Sequence, residues 1–491
     1  MCCSDSKKCI CALGHSIRES KCSSDDAPPF VGPSHSCSRG ERCAGGSACV
    51  RGVCACEADH RAEEGYCRPI EAPNADVTLA GGNGLRFKSK IATQRPRSTP
   101  CDPSRCKLPD CFCTPSGRLP PSGLLPSQTP QFVILTFDDA VNGRTLPDYK
   151  RLFGTNRFKY ATFPPRNWHN RLSTLHRNPN GCPIKGTFFV SHEWTNYDGV
   201  QWIEDGGHEL ASNSITHVSL EGSSTSRWLS EMDGQRRIMA KFGNSREEAI
   251  TGMRAPQLAA GGDHMFEMML RAGFIYDNSI PANGGKGSEP FWPQTMDYRP
   301  SFPCNDRPCP TRSYPGVWEI PLNQFYGRFL PQIGAHQRSS MMRAAVPLNA
   351  SVDELYQMLR HNLARSLDSN RAPLVLTLNA DYLQLNEENS GMQALERFLE
   401  SISHEPNVFV VTLKQLVDWM REPLPIERSR EHPALRCPLG FARYSAGKEQ
   451  CAKPNKCIYR TPGMGSPEHQ FLTCSPCPDS YPWVTNPTGN P

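Results

Sequence analysis

The stretch Pro130-Gln-Phe-Val-Ile-Leu-Thr-Phe-Asp-Asp139 decides how the chain is read. Phe132–Phe137 is an apolar run broken only by Thr136, the pattern of a strand buried on both faces. It ends in two adjacent carboxylates. Such a pair is costly to desolvate unless a metal or another cation compensates it. The structural alternative is a helix N-cap beside a solvated neighbour. Outward from this stretch, Gly186–Ser191, Gly252–Ala255, Val317–Leu322, Leu374–Leu378 and Val408–Val411 read as further buried strands. Arg227–Phe242, His264–Ala272, Ser351–Leu367 and Gly391–Ser403 carry helical periodicity, and Ser351 with Glu354 forms a capping box. Repeated strand–helix alternation predicts an α/β fold, a parallel sheet or barrel, with ligands at the C-terminal strand ends.

The polar residues beyond those strands are therefore the candidate site. After Asp138-Asp139 come Asn213-Ser-Ile-Thr-His217, Arg254-Ala-Pro256, Asp277-Asn-Ser279 and Asn379-Ala-Asp-Tyr-Leu383. Each alone is a weak signal. Their order, one group per strand end, is a stronger one.

At this point the chain resembles the polysaccharide deacetylases (carbohydrate esterase family four, the NodB-homology fold), and specifically the chitin deacetylase-like proteins of moulting animals. The resemblance runs from about residue 101 to 422. It rests on Cys101-Asp-Pro-Ser-Arg-Cys-Lys-Leu-Pro-Asp-Cys-Phe-Cys113, Leu135-Thr-Phe-Asp-Asp-Ala-Val-Asn142, Thr187-Phe-Phe-Val-Ser-His192, Gly207-His-Glu209 and Cys309-Pro-Thr-Arg-Ser313. It implies a distorted (β/α) barrel and a substrate of β-1,4-linked N-acetylglucosamine, as in chitin. It also implies a divalent metal, usually zinc, that activates water and polarises the acetamide carbonyl.

Carried over residue by residue, the resemblance makes Asp138 the general base, Asp139 a metal ligand and His217 a second ligand. Arg254 would buttress the base, and Asp277 would orient the acid. Pro256, Tyr382 and Leu383 fall where the substrate-binding wall is expected. Two positions depart from the pattern. Asn213 stands where a metal-binding histidine is expected, and Asn379 where the acid histidine is expected. An amide oxygen is a poor substitute for imidazole nitrogen, so metal binding should weaken. An amide does not titrate near neutrality, so the acid's share of catalysis, about 10²–10⁴-fold, should be lost. Asp381 is a minor candidate to replace it. The expectation is a chitin deacetylase-like protein that binds, or weakly acts on, its polysaccharide. An active metal-dependent deacetylase and a protein-binding array of matrix modules are the alternatives.

The flanks carry most of the 23 cysteines. Cys9, Cys11 and Cys22 repeat the spacing of Cys54, Cys56 and Cys67, 45 residues later. Residues 1–70 therefore read as two tandem repeats, the first truncated. They resemble the EB modules of secreted nematode proteins (Cys37, Cys43, Cys49, Cys54, Cys56, Cys67). Modules this small need disulfides, and zinc is the weaker reading of Cys-x-Cys without finger-spaced histidines. This cysteine content places the chain outside the cell. Met1–Asp25 contains no apolar signal core, so the expectation is that the chain's secretory leader lies upstream of this sequence. Residues 71–100 read as a linker, partly basic between Arg86 and Arg97, and 101–425 as the barrel with its N-terminal cysteine segment. Residues 426–491 read as a C-terminal cysteine-rich module, a disulfide knot or a chitin-binding module. Cys474-Ser-Pro-Cys477 has the spacing of a redox or zinc pair, with no partner pair to support either. Phe153–Arg177 reads as a surface insertion or a translated intron. Asn349-Ala-Ser351 is the one glycosylation sequon.

The remaining composition excludes other classes. In 491 residues, 54 Lys+Arg face 49 Asp+Glu, a net charge of +5 that indicates no nucleic-acid surface. There is no apolar run of about 18 residues to span a membrane.

Overall fold

The computed structural model describes residues 95–153, 176–437 apart from 284, 286–287 and 305–307, and 453–490 apart from 465, with short stretches between 15 and 69. The chain divides into two units, Met1–Ile91 and Ala92–Pro491.

In the first unit, Cys37 pairs with Cys49 and Cys43 with Cys54. Two-stranded ribbons such as Ala48–Val50 with Val53–Ala55 put Cys49 opposite Cys54. Cys37, Cys43 and Cys54 are close enough to suggest a metal cluster, but their sulfurs are consumed by disulfides. Much of the first repeat, the linker from 71 to 94 and the insertion from 154 to 175 lie outside the described residues.

The second unit is built on one curled sheet. Its strands are β1 (Gln131–Asp139), β2 (Thr187–Val190), β3 (Glu209–Ser212), β4 (Gly252–Met253), β5 (Tyr276–Asp277), β6 (Gln294–Met296), β7 (Tyr314–Glu319), β8 (Leu374–Leu378) and β9 (Val408–Val411). The order is β6-β7-β5-β4-β3-β2-β1-β8, and all of these pairs are parallel except β6 with β7. β9 pairs with residues 131–134 of β1, and β2 pairs with residues 136–139. Two partners thus share one edge of β1, which curls the sheet into an incomplete barrel. Phe132–Leu135 are fully buried, as the apolar run predicts.

Helices Thr225–Phe242, Gly262–Ala272, Val352–Leu367 and Ser390–Ser403 follow the predicted segments. Ser351 caps the third, its hydroxyl accepting from the Glu354 amide at 3.2 Å. The sequence reading missed β3, β5 and β6. It also set one strand at Val317–Leu322, whereas β7 runs Tyr314–Glu319 and Leu322–Asn323 pairs separately with Pro281–Ala282.

Both flanks of the barrel are tied into it. The Ser98 amide donates to the Thr311 carbonyl at 2.9 Å, and Arg95 pairs with Glu267 at 2.6 Å. Residues 95–100, read as linker, therefore lie against the barrel. At the other end, Cys437 pairs with Cys182, and Cys457 with Cys477. Cys474 is also disulfide-bonded, which removes the free Cys-x-x-Cys reading. The hairpin β10 (Asn455–Met464) and β11 (Ser466–Thr473) packs on the barrel. Its Phe471 stacks edge-on against Tyr197 and Phe242 and is buried with Cys457 and Tyr481 in the main core. So short a segment has too little apolar surface to form a core alone, and it borrows the barrel's.

Candidate active site at the C-terminal rim of the sheet

β1 delivers Asp138 and Asp139 to the C-terminal rim, with Val190 of β2 in register beside Asp139. The next strand ends supply Asn213, Arg254 and Asn278. Arg254 is wholly buried and Asp138 nearly so. Arg254 Nη1 donates to Asp138 Oδ1. Its Nη2 donates to Thr136 Oγ1 at 3.1 Å and to Asn278 Oδ1, and its Nε to the Asn278 carbonyl at 2.9 Å. The guanidinium also lies 4.1 Å over the Phe189 ring. Burial pushes the Asp138 carboxyl above its ordinary value, Arg254 pulls it back, and neighbouring Asp139 pushes it up again. A buried charge with a matched, hydrogen-bonded partner is the arrangement in which ionisation is tolerable.

Asp139 and His217 form the exposed half of the site. His217 Nε2 stands 3.3 Å from Asp139 Oδ1, with side chains 33% and 49% exposed. Asp139, Ser214 and His217 all adopt positive φ (86°, 72° and 53°). Non-glycine residues do this rarely, and such strain gathers at functional sites. Glu231 holds the loop in place. Its carboxylate accepts from the Ile215 and Thr216 amides at 3.0 and 2.9 Å, the Thr216 hydroxyl at 2.7 Å and Arg227 at 2.7 Å.

Asn213 directly follows β3 and opens the loop that ends in His217. Its Nδ2 donates to the Arg254 carbonyl at 2.9 Å, while its Oδ1 is buried with no partner. An unpaired buried acceptor costs about 1–3 kcal/mol. Among the described residues, no third His, Cys, Asp or Glu donor lies within 4.8 Å of Asp139 and His217 together. A divalent cation here would rest on one carboxylate oxygen, one imidazole nitrogen and the orphaned Asn213 oxygen. That set fits a cation, with one weak ligand.

The other predicted residues stand differently. Asp277 is buried opposite Glu319 in the β5–β7 register. Its carboxylate accepts from the Ser279 hydroxyl and, at 3.2 Å, from the Ser279 amide. Burial, followed by the charge of Asp277, drives the Glu319 carboxyl well above its ordinary value, and burial raises that of Asp277 as well. Asn379 caps the short helix Ala380–Leu383, its Oδ1 accepting from the Tyr382 amide at 3.0 Å. Tyr382 and Leu383 are 0% and 1% exposed in the main core. Neither side chain offers a surface to a glycan. Asp381 is at the surface, paired with Arg144 at 2.9 Å. Pro256 is buried and opens the turn Pro256–Leu258, whose Gln257 Nε2 donates to the His217 carbonyl at 3.4 Å.

Sequence reasoning missed Glu231 and Glu319, and gave Asn278, inside the quoted Asp277-Asn-Ser279, no role. Two signals were present: a glutamate on the apolar face of Thr225–Phe242, and an asparagine directly after the quoted Asp277.

A family model for polysaccharide deacetylase matches residues 126–273, and one for the EB module matches residues 11–67. Chitin deacetylase 1 of Bombyx mori is 34% identical over 404 residues, 80% of this chain and 69% of that protein. Chitin deacetylase 8 of Bombyx mori is 30% identical over 412 residues, 82% of this chain and 97% of that protein. Among solved structures, a polysaccharide deacetylase from Mycobacterium smegmatis overlaps 64% of this chain and 95% of its own, at 18% identity and a TM-score of 0.33. On the strength of the two silkworm relatives and the sheet that carries Asp138 and Asp139, the chain belongs to the chitin deacetylase-like family of polysaccharide deacetylases.

Proposed function

We propose that the protein engages an N-acetylglucosamine polysaccharide of the chitin type outside the cell, with deacetylation greatly weakened or lost. The observation that carries this is Asn379. It stands where the family resemblance expects the proton donor, and its side chain is engaged as a helix cap. Hydrolysis of an acetamide needs a proton for the departing amine, and an amide side chain supplies none. That share of the rate is about 10²–10⁴-fold. Asp138, oriented by Arg254, remains able to take a proton from water, so the site keeps a base without its acid.

Asp139, His217 and Asn213 Oδ1 are the residues that would hold a divalent cation. When bound there, the cation would polarise the acetamide carbonyl and acidify a water. The neutral Asn213 oxygen leaves that site short of one strong donor. The disulfides support an extracellular setting. Among the described residues, no helix is long and apolar enough to cross a membrane.

The test is acetate release from N-acetylglucosamine oligomers, with zinc content and retention on chitin beads measured on the same full-length protein. The expected result is retention, sub-stoichiometric zinc and little acetate. The Asn213→His, Asn379→His double variant should gain both zinc and acetate release. Acetate release by the unaltered chain as fast as by the double variant would overturn the proposal.

A further inference from the structure

Beyond the Asp138–Asp139 pair, the same rim carries a groove of about 450 Å³ between the barrel and the C-terminal hairpin. This is within the roughly 300–1,000 Å³ of small-molecule sites. Asn142 and the loop after β2, with Trp194 and Asn196, form one wall. Lys456, Gln470 and Leu472 of β10 and β11 form the other. Asn142 is three residues beyond Asp139, so the groove opens on the side of the sheet that holds the candidate active site.

The walls are tied to each other. The Leu472 amide donates to Asn196 Oδ1 at 3.0 Å, and His469 Nε2 lies 3.0 Å from Glu193 Oε1. Within the barrel, the Asn196 amide donates to the Val141 carbonyl at 2.7 Å, the Val141 amide to Thr195 Oγ1 at 3.1 Å, and Asn142 Nδ2 to the Trp194 carbonyl at 3.3 Å. The groove is therefore preformed by hydrogen bonds at its base.

Trp194 is its unusual feature. It is 54% exposed and adopts φ 68°, a conformation that is an outlier for a bulky residue. The fold holds an indole at the surface at a cost in burial and in backbone strain. Its ring lies 6.1 Å from that of His469 at an interplanar angle of 30°, so it is backed by the hairpin. The rest of the lining is two asparagines, one glutamine, one lysine and the apolar Phe471 and Leu472, with no carboxylate. An indole face takes up an apolar surface, while amides offer both donors and acceptors. A pyranose combines these needs: axial C–H groups on its faces, and hydroxyl and acetamido groups around its edge.

We propose that this groove is a glycan subsite, in which Trp194 stacks on one N-acetylhexosamine unit of a chain that continues to the Asp138–Asp139 rim. The subsite rests on the proposed function, and the C-terminal hairpin becomes part of the binding surface.

The test uses the full-length protein and N-acetylglucosamine oligomers of two to six units, with affinity measured by calorimetry. Trp194→Ala should weaken binding of the hexamer about tenfold, leave the dimer nearly unchanged, and preserve the melting temperature. Trp194→Phe should recover part of the loss, and Gln470→Ala should weaken the hexamer about threefold. Hexamer binding unchanged in Trp194→Ala but lost in His217→Ala would overturn the subsite and leave the proposed function standing. No binding of any oligomer by the unaltered chain would overturn both.

Discussion

Replacing Arg254 by methionine probes the interaction on which the rim depends. The substitution keeps much of the side-chain volume and deletes the charge. Arg254 is fully buried, and its guanidinium makes four hydrogen bonds, to Asp138, Thr136 and twice to Asn278. Removing one member of a buried ion pair costs about 3–5 kcal/mol, because the remaining charge is left uncompensated. Protonation of Asp138 limits that cost, which makes it depend on pH. Burial already raises the Asp138 carboxyl above its ordinary 3.8, and losing the guanidinium raises it further. A raised carboxyl means that the folded state keeps a proton that the unfolded state has released. Stability then falls as pH rises from 3.8 through the folded-state value and levels off above it. The variant's deficit should be smallest near about pH 4 and widen toward neutrality, where it reaches the full 3–5 kcal/mol. Adding Asp138→Asn should recover much of it, since the amide carries no charge to bury. Urea unfolding at constant ionic strength, with disulfides intact, measures all three proteins. A deficit below about 1 kcal/mol, a deficit that does not vary with pH, or one that Asp138→Asn fails to relieve would refute the reasoning.

Two further outcomes test how the site is framed. The Cys182–Cys437 bridge closes a loop of 255 residues, and replacing both cysteines by serine should cost about 3–5 kcal/mol in denaturant unfolding; a loss under about 1 kcal/mol would mean that packing alone secures the C-terminal segment. At Gly391 an added Cβ would stand 1.8 Å from the Tyr382 carbonyl oxygen, so Gly391→Ala should destabilise by at least about 1–3 kcal/mol through overpacking beside the turn capped by Asn379, read as a lower urea midpoint.

Local pattern made much of the architecture legible. Phe132–Phe137 reads as a doubly covered strand, the helix from Val352 announces itself by period and cap, and the helix ending at Phe242 by period. The missed strands are short or polar. β3, Glu209–Ser212, begins with a buried glutamate that accepts from Tyr276, Thr187 and the Lys414 amide at 2.6, 2.8 and 3.0 Å. Nothing in four residues reveals three distant partners, so no period announces the strand. The same reason hides Glu319, whose carboxylate accepts from the Ile280 amide of another segment.

Residue type and order alone determined the alternation of strands and helices and the carboxylates and amides at the strand ends, among them Asn213 and Asn379. The tertiary structure decided which of those groups meet. It set Arg254 on Asp138 across 116 positions, left Asn213 Oδ1 without a partner, and turned Tyr382 and Leu383 into core. It also brought β11 beside Trp194 to make a groove. Spacing along a chain reports periodicity within one element, whereas contacts between elements depend on how long loops close and on which buried polar groups can satisfy one another.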